Sequence, residues 1–123
     1  LGVPVGIHLD DADMLPLTPN FALTHKQRLA FDFCELTVLH TPGHTPGSVC
    51  FFSDGNLFTG ETLSAESIGD TSTEMGNRGA LANSLRERIF TLPDSTAFFP
   101  AYGKPSTLGT ARETFDRWES GMI

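Results

Sequence analysis

The segment His40-Thr41-Pro42-Gly43-His44-Thr45-Pro46-Gly47-Ser48 constrains this chain more than any other. Each proline fixes its own φ and lacks a backbone donor, so neither a helix interior nor a central strand can run through it. Each glycine admits a tight backbone path that other residues avoid. The segment is therefore a rigid loop that holds His44 outward between two turns. Strand patterns lie on both sides. Phe33 to His40 places Cys34, Leu36, Val38 and His40 on one face and Phe33, Glu35, Thr37 and Leu39 on the other, with at least one face buried. Ser48 to Ser53 is a compact apolar run, and Asp54-Gly55 has hairpin-turn chemistry leading into Asn56 to Thr59. Loops at strand ends are where functional groups are usually displayed.

The rest of the chain supplies the frame. Val3 to His8 reads as a strand, and Asp10, Asp11 and Asp13 can cap the first turn of a short helix after it. Leu17 to Leu29 is broken by Pro19 and Asn20 and reads as a loop. Leu63 to Gly79 is polar, holds three glycines and reads as a long functional or poorly ordered loop, in which Asp70, Glu74 and Arg78 read as solvated charges, with contact to substrate as the alternative. Leu81, Leu85 and Ile89 recur every four residues and predict an amphipathic helix over Ala80 to Phe90, ended by Pro93. Thr96 to Phe99 is a further strand. A last helix starts at Thr110, with Glu113 at capping-box spacing, and stacks Ala111, Phe115 and Trp118 on one stripe. Phe51, Phe52, Phe98, Phe99 and Trp118 read as core, with a contact to a further part of the protein as the alternative for Trp118. Strands alternating with helices and hairpins predict an α/β fold, a mixed β-sheet with flanking helices.

At 123 residues the chain is about one domain. Its formal charge of −7, with no Lys/Arg cluster, argues against nucleic acid as a partner, because that affinity rests on neutralising phosphates. No apolar run approaches the ~18 residues of a membrane span. Cys34 and Cys50 sit in apolar stretches and are expected to be reduced and buried, so the cytoplasm is the default compartment. Nucleophile-elbow, phosphate-loop and dinucleotide fingerprints are all missing, which leaves serine hydrolase, nucleotidase and dehydrogenase readings without their motifs.

The run Leu39 to Ser48, the hairpin, and Leu57-Phe58-Thr59-Gly60-Glu61-Thr62-Leu63 together resemble the metallo-β-lactamase superfamily and, within it, the glyoxalase II-like hydrolases. The resemblance continues through Leu81 to Leu92, Phe98 to Gly103 and Thr107 to Gly109. It implies part of an αβ/βα sandwich. It also implies that His44, the His after Pro-Gly, binds metal, and that Glu61 stands where the family's Thr-Gly-Asp segment supplies a bridging carboxylate. Glu61 keeps the charge but carries it one carbon–carbon bond further out. Pro100-Ala101-Tyr102-Gly103 stands where the family has Pro-Gly-His-Gly. A phenol is a much weaker zinc ligand than a neutral imidazole, so Tyr102 is assigned to substrate.

The family's His-x-His-x-Asp-His motif does not occur in the chain, in which His8 and His25 stand alone. Together with Leu1 in place of an initiator Met, this reads 1–123 as a single partial domain, the C-terminal half of a longer protein. The expected partner of its uncovered sheet face is the missing half or a second copy. The expected function is metal-dependent hydrolysis of a small thioester of the hydroxyacylglutathione kind in the full-length protein. Zinc is the expected metal, with iron or manganese as alternatives, and the isolated chain, short of ligands, is expected to be inactive. The alternative is a degenerate relative that has lost its metal and serves as a binding or assembly module.

Overall fold

The Asp54-Gly55 pair takes up the left-handed backbone that a two-residue hairpin turn requires, with φ of 47° and 81°. Around it grows the main sheet of the computed structural model, which describes residues 4–16 and 18–121. Val3 and Leu17, which belong to two of the segments read from sequence, lie outside the described residues. The strands are β1 (Gly6–His8), β2 (Phe21–Leu23), β3 (Arg28–Ala30), β4 (Glu35–His40), β5 (Val49–Ser53), β6 (Asn56–Gly60), β7 (Ala97–Pro100) and β8 (Ser106–Thr107). Strands β3 to β8 form a six-stranded sheet in sequence order, and β1 pairs with β2 in a small parallel sheet. All neighbours in the large sheet are antiparallel except β6 and β7, which are parallel.

A parallel pair needs a crossover, and here it runs through helix α1 (Arg78–Ser84) and a π-helical turn, Leu85–Ile89. The Asn77 side chain caps α1 by accepting from the Ala80 amide at 2.9 Å. Helix α2 (Leu108–Glu119) follows β8. One face of the sheet, with Leu39, Cys50, Leu57 and Phe98, packs on Leu81, Leu85 and Ile89 and on Leu108, Ala111, Phe115 and Trp118. The two apolar stripes expected of the helices are thus the core. A 3-10 helix, Leu9–Met14, follows β1 as the acidic residues there suggested. Among the described residues no helix is long and apolar enough to cross a membrane.

Several expectations need correction. Leu17 to Leu29 is not all loop: β2 pairs with β1 and β3 with β4, and such non-local backbone pairing leaves no periodicity in a short segment. The strand expected from Phe33 begins at Glu35. Phe33 is 99% exposed and Cys34 is exposed as well, because Phe31 N–H donates to Cys34 O at 2.8 Å and turns the chain beyond the sheet. Cys34 is therefore not buried, although both thiols are free. Helix α2 is capped by Thr107, not Thr110: Thr107 Oγ1 accepts from the Thr110 amide. Arg78 is not a loop charge but a helix residue whose guanidinium lies 3.9 Å over the buried Trp118 ring, which completes this chain's own core. Phe51, Phe58 and Phe99 pair across β5, β6 and β7 on the opposite face from the core, and Phe99 is exposed there.

Candidate metal centre

The loop after β4 is closed by Thr41 N–H donating to Ser48 O at 2.8 Å. Within it, the Gly43 and Ser48 amides both donate to Thr45 O, at 3.0 and 3.3 Å. Helix α1 grips one side. Ser84 Oγ donates to Pro42 O at 2.8 Å, and Asn77 N–H donates to Gly43 O at 2.7 Å. Gly43, at φ +152°, lies so near the helix that a Cβ there would stand 2.3 Å from Leu81 Cβ. The glycine is what lets loop and helix touch. Arg88 donates to His40 O at 2.7 Å and fixes where the loop begins.

His44 leaves this loop with a defined ring orientation. Its Nδ1 lies 2.7 Å from Asp70 O. A carbonyl only accepts, so Nδ1 carries the proton and Nε2 is left to face inward. There Nε2 is in direct contact with Glu61 Oε2. Glu61 is aimed by a tight turn after β6: Gly60 has φ +52°, and Thr62 N–H donates to Thr59 O at 2.9 Å. Thr59 is buried and donates from Oγ1 to Leu63 O at 2.7 Å, which locks the base of the turn. The Asp70 carboxylate accepts from the Ser72 hydroxyl and amide, and these bonds, helped by nearby His44, hold its pKa below the usual value.

His44, Glu61 and Tyr102 line one cavity of about 420 Å³. Tyr102 is 74% exposed at its rim, and Ala101 N–H donates to Gly60 O at 2.8 Å, tying its loop to that of Glu61. The three residues singled out from sequence, up to 58 positions apart, are thus brought to one place. The segment after Leu63 forms the remaining wall, with Ser64, Ile68 and Asp70. This long loop lines the cavity, and the part that meets His44 is a backbone carbonyl, which no side-chain pattern could have signalled.

A family model described as the metallo-beta-lactamase superfamily matches residues 30–102, more than half of the chain. The chain belongs to the metallo-beta-lactamase superfamily. Among curated relatives of this superfamily member, a probable metallo-hydrolase of Streptococcus pyogenes is 38% identical over 68% of this chain and 37% of its own length. The mitochondrial persulfide dioxygenase ETHE1 of Homo sapiens is 32% identical over 82% of this chain and 35% of its own. Hydroxyacylglutathione hydrolase GloC of Haemophilus influenzae is 31% identical over 70% and 42%. The chain therefore spans well under half of these relatives. Among solved structures, the BLEG-1 B3 metallo-beta-lactamase superposes with a TM-score of 0.83 at 27% identity, covering 90% of this chain and 63% of that one. A protein crystallised in a di-iron-bound form gives a TM-score of 0.77 at 30% identity, covering 93% and 64%.

The residues of this superfamily member fit a metal as a partial donor set. An imidazole nitrogen and a carboxylate oxygen, here in contact with one another, are donor types that suit zinc, iron or manganese. Two donors fall short of the about three protein ligands of a catalytic zinc site. A second grouping was not visible in the sequence: ligand atoms of His8, Asp10 and His40 lie within 4.8 Å of one another. His8 is thus not alone; its ring stacks on His40 with centroids 3.8 Å apart and planes 17° apart. Near-parallel rings cannot aim their in-plane lone pairs at one ion. His8 Nδ1 also accepts from the Asp10 amide, and His40 Nε2 donates to Pro46 O at 2.8 Å. Burial, followed by the neighbouring His40, holds the His8 pKa below its ordinary value.

Proposed function

We propose that this chain supplies His44 and Glu61 to the metal site of a cytoplasmic metal-dependent hydrolase acting on a small thioester of the hydroxyacylglutathione kind. The observation that carries the reading is the meeting of His44 Nε2 and Glu61 Oε2 inside the cavity that Tyr102 rims. The bond from His44 Nδ1 to Asp70 O is the outer contact that sets the tautomer of a metal-binding imidazole. A zinc, iron or manganese ion bound there would supply Lewis-acid polarisation of a carbonyl and activation of water. The chain's own residues hold His44 rigid, place a carboxylate beside it and offer the Tyr102 hydroxyl to a polar substrate atom at the rim. The relative named hydroxyacylglutathione hydrolase supports the thioester, and the open, mostly apolar cavity favours a small molecule over nucleic acid.

The second reading is a binding or assembly module descended from such an enzyme. Glu61 and Tyr102, standing where the family pattern has Asp and His, favour it. Elemental analysis of protein purified without added metal separates the two, made on this chain and on a version extended at its N terminus. The hydrolase reading expects near-stoichiometric metal in the extended form and little in the short one. Metal in neither, together with no gain in binding or thioesterase activity from Glu61→Asp and Tyr102→His in the extended form, would sink it.

A further inference from the structure

The loop that presents His44 is held from a second side by a residue far away in sequence. Asp11, in the 3-10 helix after β1, is only 9% exposed. Its Oδ1 accepts from the Gly47 amide at 2.6 Å and its Oδ2 from Thr45 Oγ1 at 2.5 Å. Gly47 is built for this approach, because a Cβ there would stand 2.5 Å from Asp11 Cγ. The loop needs the outside acceptor. Pro42 and Pro46 have no N–H, the Gly43, Thr45 and Ser48 amides find partners within the loop, and the Gly47 amide finds its partner in Asp11. Thr45 is the residue next to His44, and its hydroxyl also meets Ser48 Oγ at 2.8 Å. Three residues before Asp11, His8 stacks on His40, whose Nε2 donates to Pro46 O.

We propose that Asp11 is a positioning residue for His44: its buried carboxylate fixes Thr45 and Gly47 and so sets where His44 points its ring. The proposal rests on the reading of His44 as a metal ligand. A carboxylate buried among neutral donors carries a desolvation cost, and two short charge-assisted bonds to one loop offset it by ordering that loop. An acidic residue in the first turn of a short helix gains nothing further from this inward aim, since solvent would serve a cap equally well. Asp11 is linked to the ligand through the loop backbone, as outer-sphere partners are linked to a metal's ligands, and loss of such a partner costs about tenfold or more in affinity.

The test uses the version extended at its N terminus with Zn²⁺ alone as probe, comparing Asp11→Ala, Asp11→Asn, Thr45→Val and His44→Ala. Three quantities are read: Zn²⁺ affinity, the NMR signals of the His44 ring and of residues 43–48, and the melting temperature. Asp11→Ala is expected to weaken Zn²⁺ by about tenfold and to lose the protected His44 Nδ1–H signal. Asp11→Asn, which keeps an acceptor for Gly47, should stay nearer the parent. A lowered melting temperature with parental Zn²⁺ affinity and parental His44 signals would make Asp11 merely structural and overturn the proposal. If Asp11→Ala does not fold, Thr45→Val, which deletes one of the two bonds, decides on the same readouts. If the parent binds Zn²⁺ no better than His44→Ala, the metal reading fails on its own. The His44 ring signals then decide for Asp11: their loss in the variant upholds it and their persistence refutes it.

Discussion

Gly43→Ala tests whether the ligand loop and helix α1 are as closely fitted as the distances say. Two terms oppose the substitution. Gly43 sits at φ +152°, where an L side chain is strained, at a cost of about 1–2 kcal/mol. The new Cβ would also stand 2.3 Å from Leu81 Cβ and 2.5 Å from Leu81 Cα. Relief to an ordinary carbon–carbon separation of about 3.5 Å needs a shift of roughly 1 Å. Leu81 is fully buried and the clash is with its backbone, so no rotamer change removes it. Overpacking of this kind costs about 1–3 kcal/mol, giving a total of about 2–5 kcal/mol. The shift also strains the bond from Asn77 N–H to Gly43 O beside the helix cap. Gly55→Ala is the control: φ there is +81°, and nothing lies within 4 Å of the added carbon, so only the backbone term of about 1–2 kcal/mol remains. Urea unfolding of both variants measures the difference, expected to be about 2 kcal/mol. Equal destabilisation of the two would refute the claim that helix α1 seats the loop.

Three other outcomes follow from the same structure. Phe58 and Phe99, 43% and 37% exposed with ring centroids 5.5 Å apart, form an apolar patch with Phe51 on the face away from the core, so the isolated chain should associate through it with a second copy. Phe58→Ser with Phe99→Ser should shift the light-scattering mass to the monomer, and a parent that is already monomeric at high concentration would contradict this. In a thiol-reagent assay the exposed Cys34 should react quickly and Cys50 only on unfolding, since burial removes access and pushes the Cys50 thiol up to about 11. Two fast thiols would refute the assigned burial. His8 and His25 both have lowered pKa values, chiefly through burial, so the unfolded chain takes up protons that the folded chain refuses. Stability is then complete above the ordinary histidine value of 6.5 and is lost as the pH falls below it. The melting temperature should drop by a few degrees between about pH 7.5 and 5.5, and less in His8→Gln; a flat profile in the parent would count against the burial of both rings.

Much of the fold was legible because local patterns there suffice. The Asp54-Gly55 turn, the four-residue spacing of Leu81, Leu85 and Ile89, and the Ala111, Phe115 and Trp118 stripe each declare their structure within a few residues, and each stands as expected. Strands β2 and β3 escaped notice because a three-residue strand is made by its partner rather than by its own composition. Cys34 was misplaced for the converse reason: it continues a strand-like alternation after the sheet has ended.

The site divides along the same line. Prolines, glycines and one histidine determined, from the sequence alone, that a rigid loop presents His44, and the resemblance of Thr59 to Thr62 to the family's Thr-Gly-Asp segment marked Glu61 as its companion. Only the tertiary structure decided that the two meet, that Asp70 lends a carbonyl rather than its carboxylate, that Arg78 serves Trp118, and that Asp11 reaches the loop from 36 residues away. Side-chain chemistry and backbone restriction are properties of the residue and can be read from the chain. Which carbonyl, carboxylate or ring lies opposite is a property of the packing, and it exists only once the sheet and helices have closed on one another.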